Sequence, residues 1–84
     1  MRGKKIHNLK IKDIFEIDLL NGSKNFEIRF NDRDFQYDDI VTFVPAGKRF
    51  WYDSILGEKF YKITFITDYE QKPGYVVFGI KEIK

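Results

Sequence analysis

Between Gly22 and Phe35 the chain reads GSKNFEIRFNDRDF, and no other stretch of its 84 residues concentrates so many groups able to do chemistry. Lys24, Glu27, Arg29, Asp32, Arg33 and Asp34 mix both signs of charge, and Asn31 adds an amide that donates and accepts. Such a set can hold a polar ligand from several directions, whereas a purely basic tract would hold only phosphate. Glu27 and Arg29 lie two apart in a strand-forming run, so they share a face and can touch. On a cleft wall Arg29 would offer a planar fork of donors and Glu27 two acceptors, enough to read a base edge or hold a ribose hydroxyl. Lys24 has the opposite parity and must reach the pair from the turn before the strand. The plain alternative is an ion-pair ladder on the solvated side of a sheet, worth little energetically. In Asn31–Asp34, Asn and Asp suit a turn because they accept backbone hydrogen bonds, and Arg33 can pair with either Asp.

Two further groups could add to this chemistry. His7 is the one histidine, the side chain whose ordinary pKa lies near neutrality. It could act as a general acid or base, stack on a base at a strand mouth, or serve structure alone. It has no second histidine or cysteine with which to hold zinc, and no Ser or Cys sits in a nucleophile motif. The NDRD run lacks the spaced oxygens and the Gly of a calcium loop, so no metal or cofactor is expected. Lys10 and Lys12 widen the basic rim. In Gly47–Glu58, GKRFWYDSILGE, Phe50, Trp51 and Tyr52 stand beside Lys48 and Arg49. One reading is a loop that stacks a base or sugar on Trp51 or Tyr52, with cations nearby for phosphate. The other is a set of rings that caps one end of the core.

These groups must be positioned by a small scaffold. The length allows one domain, residues 1–84, near the lower limit for a core that folds unaided. Without cysteine there is no disulfide, and stability rests on apolar burial, for which nine Phe are well suited. A net charge of +2 permits short, local contact with RNA and argues against an extensive duplex-binding surface. No apolar run approaches the roughly 20 residues that span a bilayer, and no apolar signal region follows the basic start MRGKK. A cytoplasmic location is expected.

Period and punctuation place the elements. Ile6–Ile11 reads as a first strand. Asp13 opens a helix as N-cap, with Glu16 completing a variant capping box, and Phe15, Leu19, Ile14 and Ile17 form its inward stripe. Asn21-Gly22 ends it. From Asn25 the period is two, with Phe26, Ile28 and Phe30 on one face and Asn25, Glu27, Arg29 and Asn31 on the other. Ile40–Val44 is a strand stopped by Pro45-Ala46-Gly47. Lys59–Thr67 alternates with Tyr61, Ile63 and Phe65 on one side, and Tyr75–Ile83 follows the Pro73-Gly74 turn with Val76, Phe78 and Ile80 together. One helix and mostly strands imply a small α+β domain, a curled sheet or barrel.

On this layout, Gly22, Lys24, Glu27 and Arg29 resemble the G-x-K-x-x-E-x-R signature of ASCH domains, within the PUA-like superfamily of small β-barrels associated with RNA. HNLKI at His7–Ile11, FEIRFNDRDF at Phe26–Phe35, Asp39 before a strand and GYVV at Gly74–Val77 resemble the DUF3850 branch, frequent in phages and Gram-positive bacteria. The resemblance runs over most of the chain and implies a mostly antiparallel PUA-like (ASCH) barrel with one principal helix. Two positions depart from the pattern. Asp38 stands where the branch usually has Gly, at a turn whose left-handed backbone Asp tolerates better than most residues. Glu27 stands where some small ASCH amidohydrolases, acting on acetylated cytidine, carry a Thr nucleophile between Lys and Glu, so that activity does not transfer.

The reading that follows is a module binding RNA or a nucleotide-like ligand in a cleft between helix, signature strand and aromatic loop. Lys24 and Arg29 would contact phosphate or a base, Glu27 a base or ribose hydroxyl, with Asn31, Arg33 and His7 nearby and Trp51 or Tyr52 stacking. One alternative is a small hydrolase of a modified nucleoside in which Lys24 and Glu27 form a rearranged acid/base pair. The other is a phage-type domain that binds a protein and uses the fold only as scaffold.

Overall fold

The computed structural model describes residues 2–46 and 58–84. Along the chain come β1 (Ile6–Lys12), a 3-10 turn (Asp13–Phe15), α1 (Glu16–Leu20), β2 (Phe26–Phe30), β3 (Ile40–Ala46), β4 (Phe60–Thr67) and β5 (Tyr75–Ile83). The strands make one sheet in the order β1-β3-β4-β5-β2. β1 runs parallel to β3, and the other three pairings are antiparallel. The sheet curls into a half-barrel. Its edges are β1 and β2, and among the described residues they share no ladder. The domain is therefore sheet-dominated and mostly antiparallel as expected, but the barrel is half-closed and the helix is a minor element.

The inner side of the sheet carries the core. Leu9 from β1, Val41 and Phe43 from β3, Ile63 from β4 and Phe78 from β5 are all sealed from water, and Leu19 and Phe35 join them. In β1 and β5 the two-residue period puts His7, Leu9 and Ile11, and Val76, Phe78 and Ile80, on the inner side. Among the described residues no helix is long and apolar enough to cross a membrane.

Three local expectations need correction. β1 runs on to Lys12, so the chain turns at once through tight 3-10 geometry and α1 begins only at Glu16. Phe15 occupies the N-cap with no side-chain hydrogen bond, so the capping box does not form. Such a short helix buries Glu16 and Leu19, while Ile14 and Ile17 face water. β3 continues through Pro45, in a part of the strand whose described partner is β1 alone, so a lost donor on the other side costs little. In β4 a register shift between Ile63 and Phe65 inserts an extra residue. Beyond it Phe65 turns outward and Ile66 packs inward. The bulge crowds its neighbour: a Cβ at Gly79 would lie 2.9 Å from the Thr64 hydroxyl.

For β2 the alternation leaves open which face is inside. Its two faces are those the alternation predicts, but the apolar one is outside: Phe26, Ile28 and Phe30 are 43%, 56% and 53% exposed, whereas Glu27 is 4% exposed. The reason is the position of β2 at the lip of the half-barrel. Its inner side meets the gap toward β1, where charged side chains can partner one another and reach backbone carbonyls across the gap.

Candidate functional site: a charged groove at the barrel seam

Lys24 precedes β2 in the turn after α1, and Glu27 and Arg29 lie on the inner side of β2. Gly22 makes the turn by adopting φ of 83°, and the Lys24 N–H donates to the Asp18 carbonyl at 2.9 Å. This returns the lysine toward the strand, and its ammonium donates to the Glu27 carboxylate and to the Phe26 carbonyl. From the other side the Arg29 Nε donates to Glu27 Oε1 at 2.9 Å. A buried carboxylate is tolerable only when paired and hydrogen-bonded, and here two cations do both.

The three side chains line one groove of about 490 Å³, together with Lys10, Lys12, Phe15, Phe26 and the edge of β2 at Ile28. Lys24 and Arg29 keep 17% and 25% of their side-chain surface exposed, so both can still meet a ligand. The Lys24 ammonium sits 5.4 Å from the Phe15 ring centre and 5.2 Å from that of Phe26, within cation–π range of both. A ligand entering the groove meets cations, a carboxylate and two aromatic surfaces.

Arg29 has a second task. Its Nη2 donates to the Lys10 carbonyl of β1 at 2.8 Å. Arg33 does the same one step along, donating to the Asn8 carbonyl at 2.7 Å. Two guanidinium groups thus tie the lips of the half-barrel where, among the described residues, no ladder does.

A second ionic cluster lies apart from the groove, around Asp39. This carboxylate is 1% exposed and accepts from Arg2 Nη1 and Nη2 at 3.0 and 2.8 Å, His7 Nε2 at 2.9 Å, and the backbone N–H groups of Lys5 and Gln36 at 3.2 and 3.1 Å. Burial pushes its pKa up, but the hydrogen bonds from Arg2, His7, Lys5 and Gln36 outweigh burial and hold it well below the usual carboxylate range. Asp38 delivers Asp39 to this place with a left-handed φ of 73°.

The residues singled out from sequence therefore divide. Lys24, Glu27 and Arg29 come together. Arg33 ties the seam, and its Nε lies 4.0 Å from Asp32 at the far limit of an ion pair. Asn31 shapes the turn, accepting at its Oδ1 from the Phe35 N–H at 2.8 Å. His7 is buried in the Asp39 cluster with its ring 4.7 Å from that of Phe35, away from the groove. Trp51 and Tyr52 lie outside the described residues. Sequence reasoning missed Phe15 and Phe26 as groove rings because Phe15 was placed on the inward stripe of the helix and Phe26 only on the apolar face of its strand. The available signal was their spacing around Lys24, nine residues before it and two after. Among the described residues no three His, Cys, Asp or Glu side chains converge as a metal would need.

No curated protein matches the chain. Residues 6–80 match the model of the family described as Domain of unknown function (DUF3850). That span takes in every strand except the last residues of β5, together with the whole charged groove, and the chain belongs to this family.

Proposed function

We propose that the groove binds a nucleotide of single-stranded RNA, and that the half-barrel is of the PUA-like (ASCH) type, acting in the cytoplasm. One observation carries this reading: Lys24, Glu27 and Arg29 line a single groove flanked by the rings of Phe15 and Phe26. Its volume falls within the roughly 300–1,000 Å³ of ordinary ligand pockets. Lys10, Lys12, Lys24 and Arg29 offer cations to a phosphate. Glu27 retains lone pairs for a ribose hydroxyl beyond those its two cations use. Phe26 and Phe15 give a base an apolar face, and such stacking tolerates any sequence. The small net charge fits a contact of one or two nucleotides rather than a long track.

Anisotropy titration with a labelled RNA hexamer tests the reading. The Lys24→Ala/Arg29→Ala variant, checked for folding by circular dichroism, is expected to bind at least about tenfold more weakly, with a shallower salt dependence. Equal, weak binding by both folded proteins overturns it. Turnover of an acylated nucleoside by the pure protein would instead favour a hydrolase built on Lys24 and Glu27.

A further inference from the structure

Among the described residues the backbone of β2 has an open edge, and the ladder shows which of its groups face the groove. The Ile80 N–H donates to the Asn25 carbonyl at 2.9 Å, and the Asn31 N–H donates to the Gly74 carbonyl at 2.8 Å. Residues 25 and 31 are therefore at bonded positions opposite β5. Bonded and non-bonded positions alternate in an antiparallel pair, so Glu27 and Arg29 spend their backbone groups on β5. Phe26, Ile28 and Phe30 direct theirs the other way, toward β1.

The carbonyls of two of these three are already engaged. The Phe26 carbonyl accepts from Lys24 Nζ at 2.9 Å, and the Phe30 carbonyl accepts from the Asp32 N–H at 2.9 Å. Across the gap, the Lys10 and Asn8 carbonyls are held by Arg29 and Arg33. Ile28 remains. Among the described residues its N–H and C=O have no partner in the β2–β5 ladder or across the seam, and Ile28 lines the groove. In an extended residue these two groups point the same way, roughly 3 Å apart, a donor beside an acceptor.

We propose that this pair on Ile28 receives the Watson–Crick edge of an unpaired nucleobase, a proposal that rests on the RNA reading above. Every base carries an adjacent donor and acceptor on that edge, so the contact is indifferent to sequence but demands a base that is not in a duplex. The Phe26 and Phe15 rings lie in the same groove, where the base can stack while its edge is held. An added peptide strand suits the edge poorly, because it needs successive open backbone pairs and the carbonyls on either side of Ile28 are taken.

The test compares hexauridylate with the same hexamer built from N3-methyluridine, which lacks the donor and places a methyl group on that edge. The wild-type protein is expected to bind the methylated hexamer roughly 5- to 100-fold more weakly, the range of one two-hydrogen-bond base contact. Ile28→Pro removes the N–H without touching the ladder to β5, a position where an edge strand tolerates proline. It is expected to bind hexauridylate several-fold more weakly than the wild type does, and to lose less than the wild type on methylation, because only the Ile28 carbonyl is left to hold the base edge. Ile28→Ala keeps the N–H and should discriminate as the wild type does. Equal affinity of the wild type for both hexamers overturns the proposal, as does undiminished discrimination by folded Ile28→Pro. Should Ile28→Pro not fold, the methylation comparison decides alone. Loss of binding in Lys24→Ala/Arg29→Ala without any methylation effect would leave the groove reading standing and remove the edge contact. No binding of either hexamer by the wild type removes both.

Discussion

Asp39 and Glu27 are both buried carboxylates held by cations, yet they sit in opposite situations. Asp39 is enclosed by five donors, two of them backbone N–H groups from separate segments, and lies outside the groove of Lys24 and Arg29. Glu27 is gripped by two side chains that remain partly in water and face an open groove. An ion cluster closed by backbone donors from separate segments holds the fold. One whose cations line a groove can exchange a contact within the protein for one with a ligand. Charge density alone does not separate these roles, nor does cation exposure, since Arg2 beside Asp39 is 29% exposed; the backbone donors and the adjoining groove do.

The largest expected effect breaks or keeps that contrast directly. Asp39→Ala leaves a guanidinium, an imidazole and two N–H groups without their acceptor, and should cost about 3–5 kcal/mol in urea denaturation. Glu27→Ala releases cations that can reach solvent, and should cost only about 1–2 kcal/mol. Similar losses for the two variants would end the distinction.

The next effect is on acid stability. Asp39 has its pKa lowered by folding, so the unfolded chain takes up the proton first as pH falls. Its contribution is complete above the ordinary carboxylate range and is lost progressively below about pH 4. Thermal unfolding across pH 2–7 should show a flatter acid limb for Asp39→Asn than for the wild type, and an unchanged limb would contradict the assignment.

Smaller changes sharpen the picture at the seam and the turn. Arg33→Ala removes one tie across the lips and should cost about 1 kcal/mol, with faster amide exchange confined to β1 and β2. Exchange that rises equally in β4 would show that the tie is not local. Asp38→Gly relieves a left-handed backbone at the loss of an exposed ion pair with Lys4, and is expected to raise stability by up to about 1 kcal/mol. A lower melting temperature would mean that the aspartate side chain matters more than its backbone strain.

How far the chain could be read follows from which interactions are local. β1 and β5 were legible because each buries one face, and a period of two then names the inward residues. In β2 the same period separates two faces but cannot say which is inside, and the sheet edge reversed the ordinary choice. In β4 the added residue at the bulge changes parity midway, and alternation alone does not disclose an insertion. Lys24, Glu27 and Arg29 were legible as a set because six residues of chain hold them all. The Asp39 cluster was not, since Arg2, Lys5 and His7 approach it from more than thirty residues away.

The order of strands bears on when the groove exists during folding. β1 and β2 are neighbours along the chain but occupy opposite ends of the ladder β1-β3-β4-β5-β2. Their lips are held at a fixed spacing only by a sheet in which the three later strands have joined between them, and such long-range pairings form slowly. An incompletely synthesised chain that lacks β5 carries Lys24, Glu27 and Arg29 but has no strand to hold β2 in place. The groove is thus a late product of folding, and occupancy by its ligand would report that the whole sheet has been assembled.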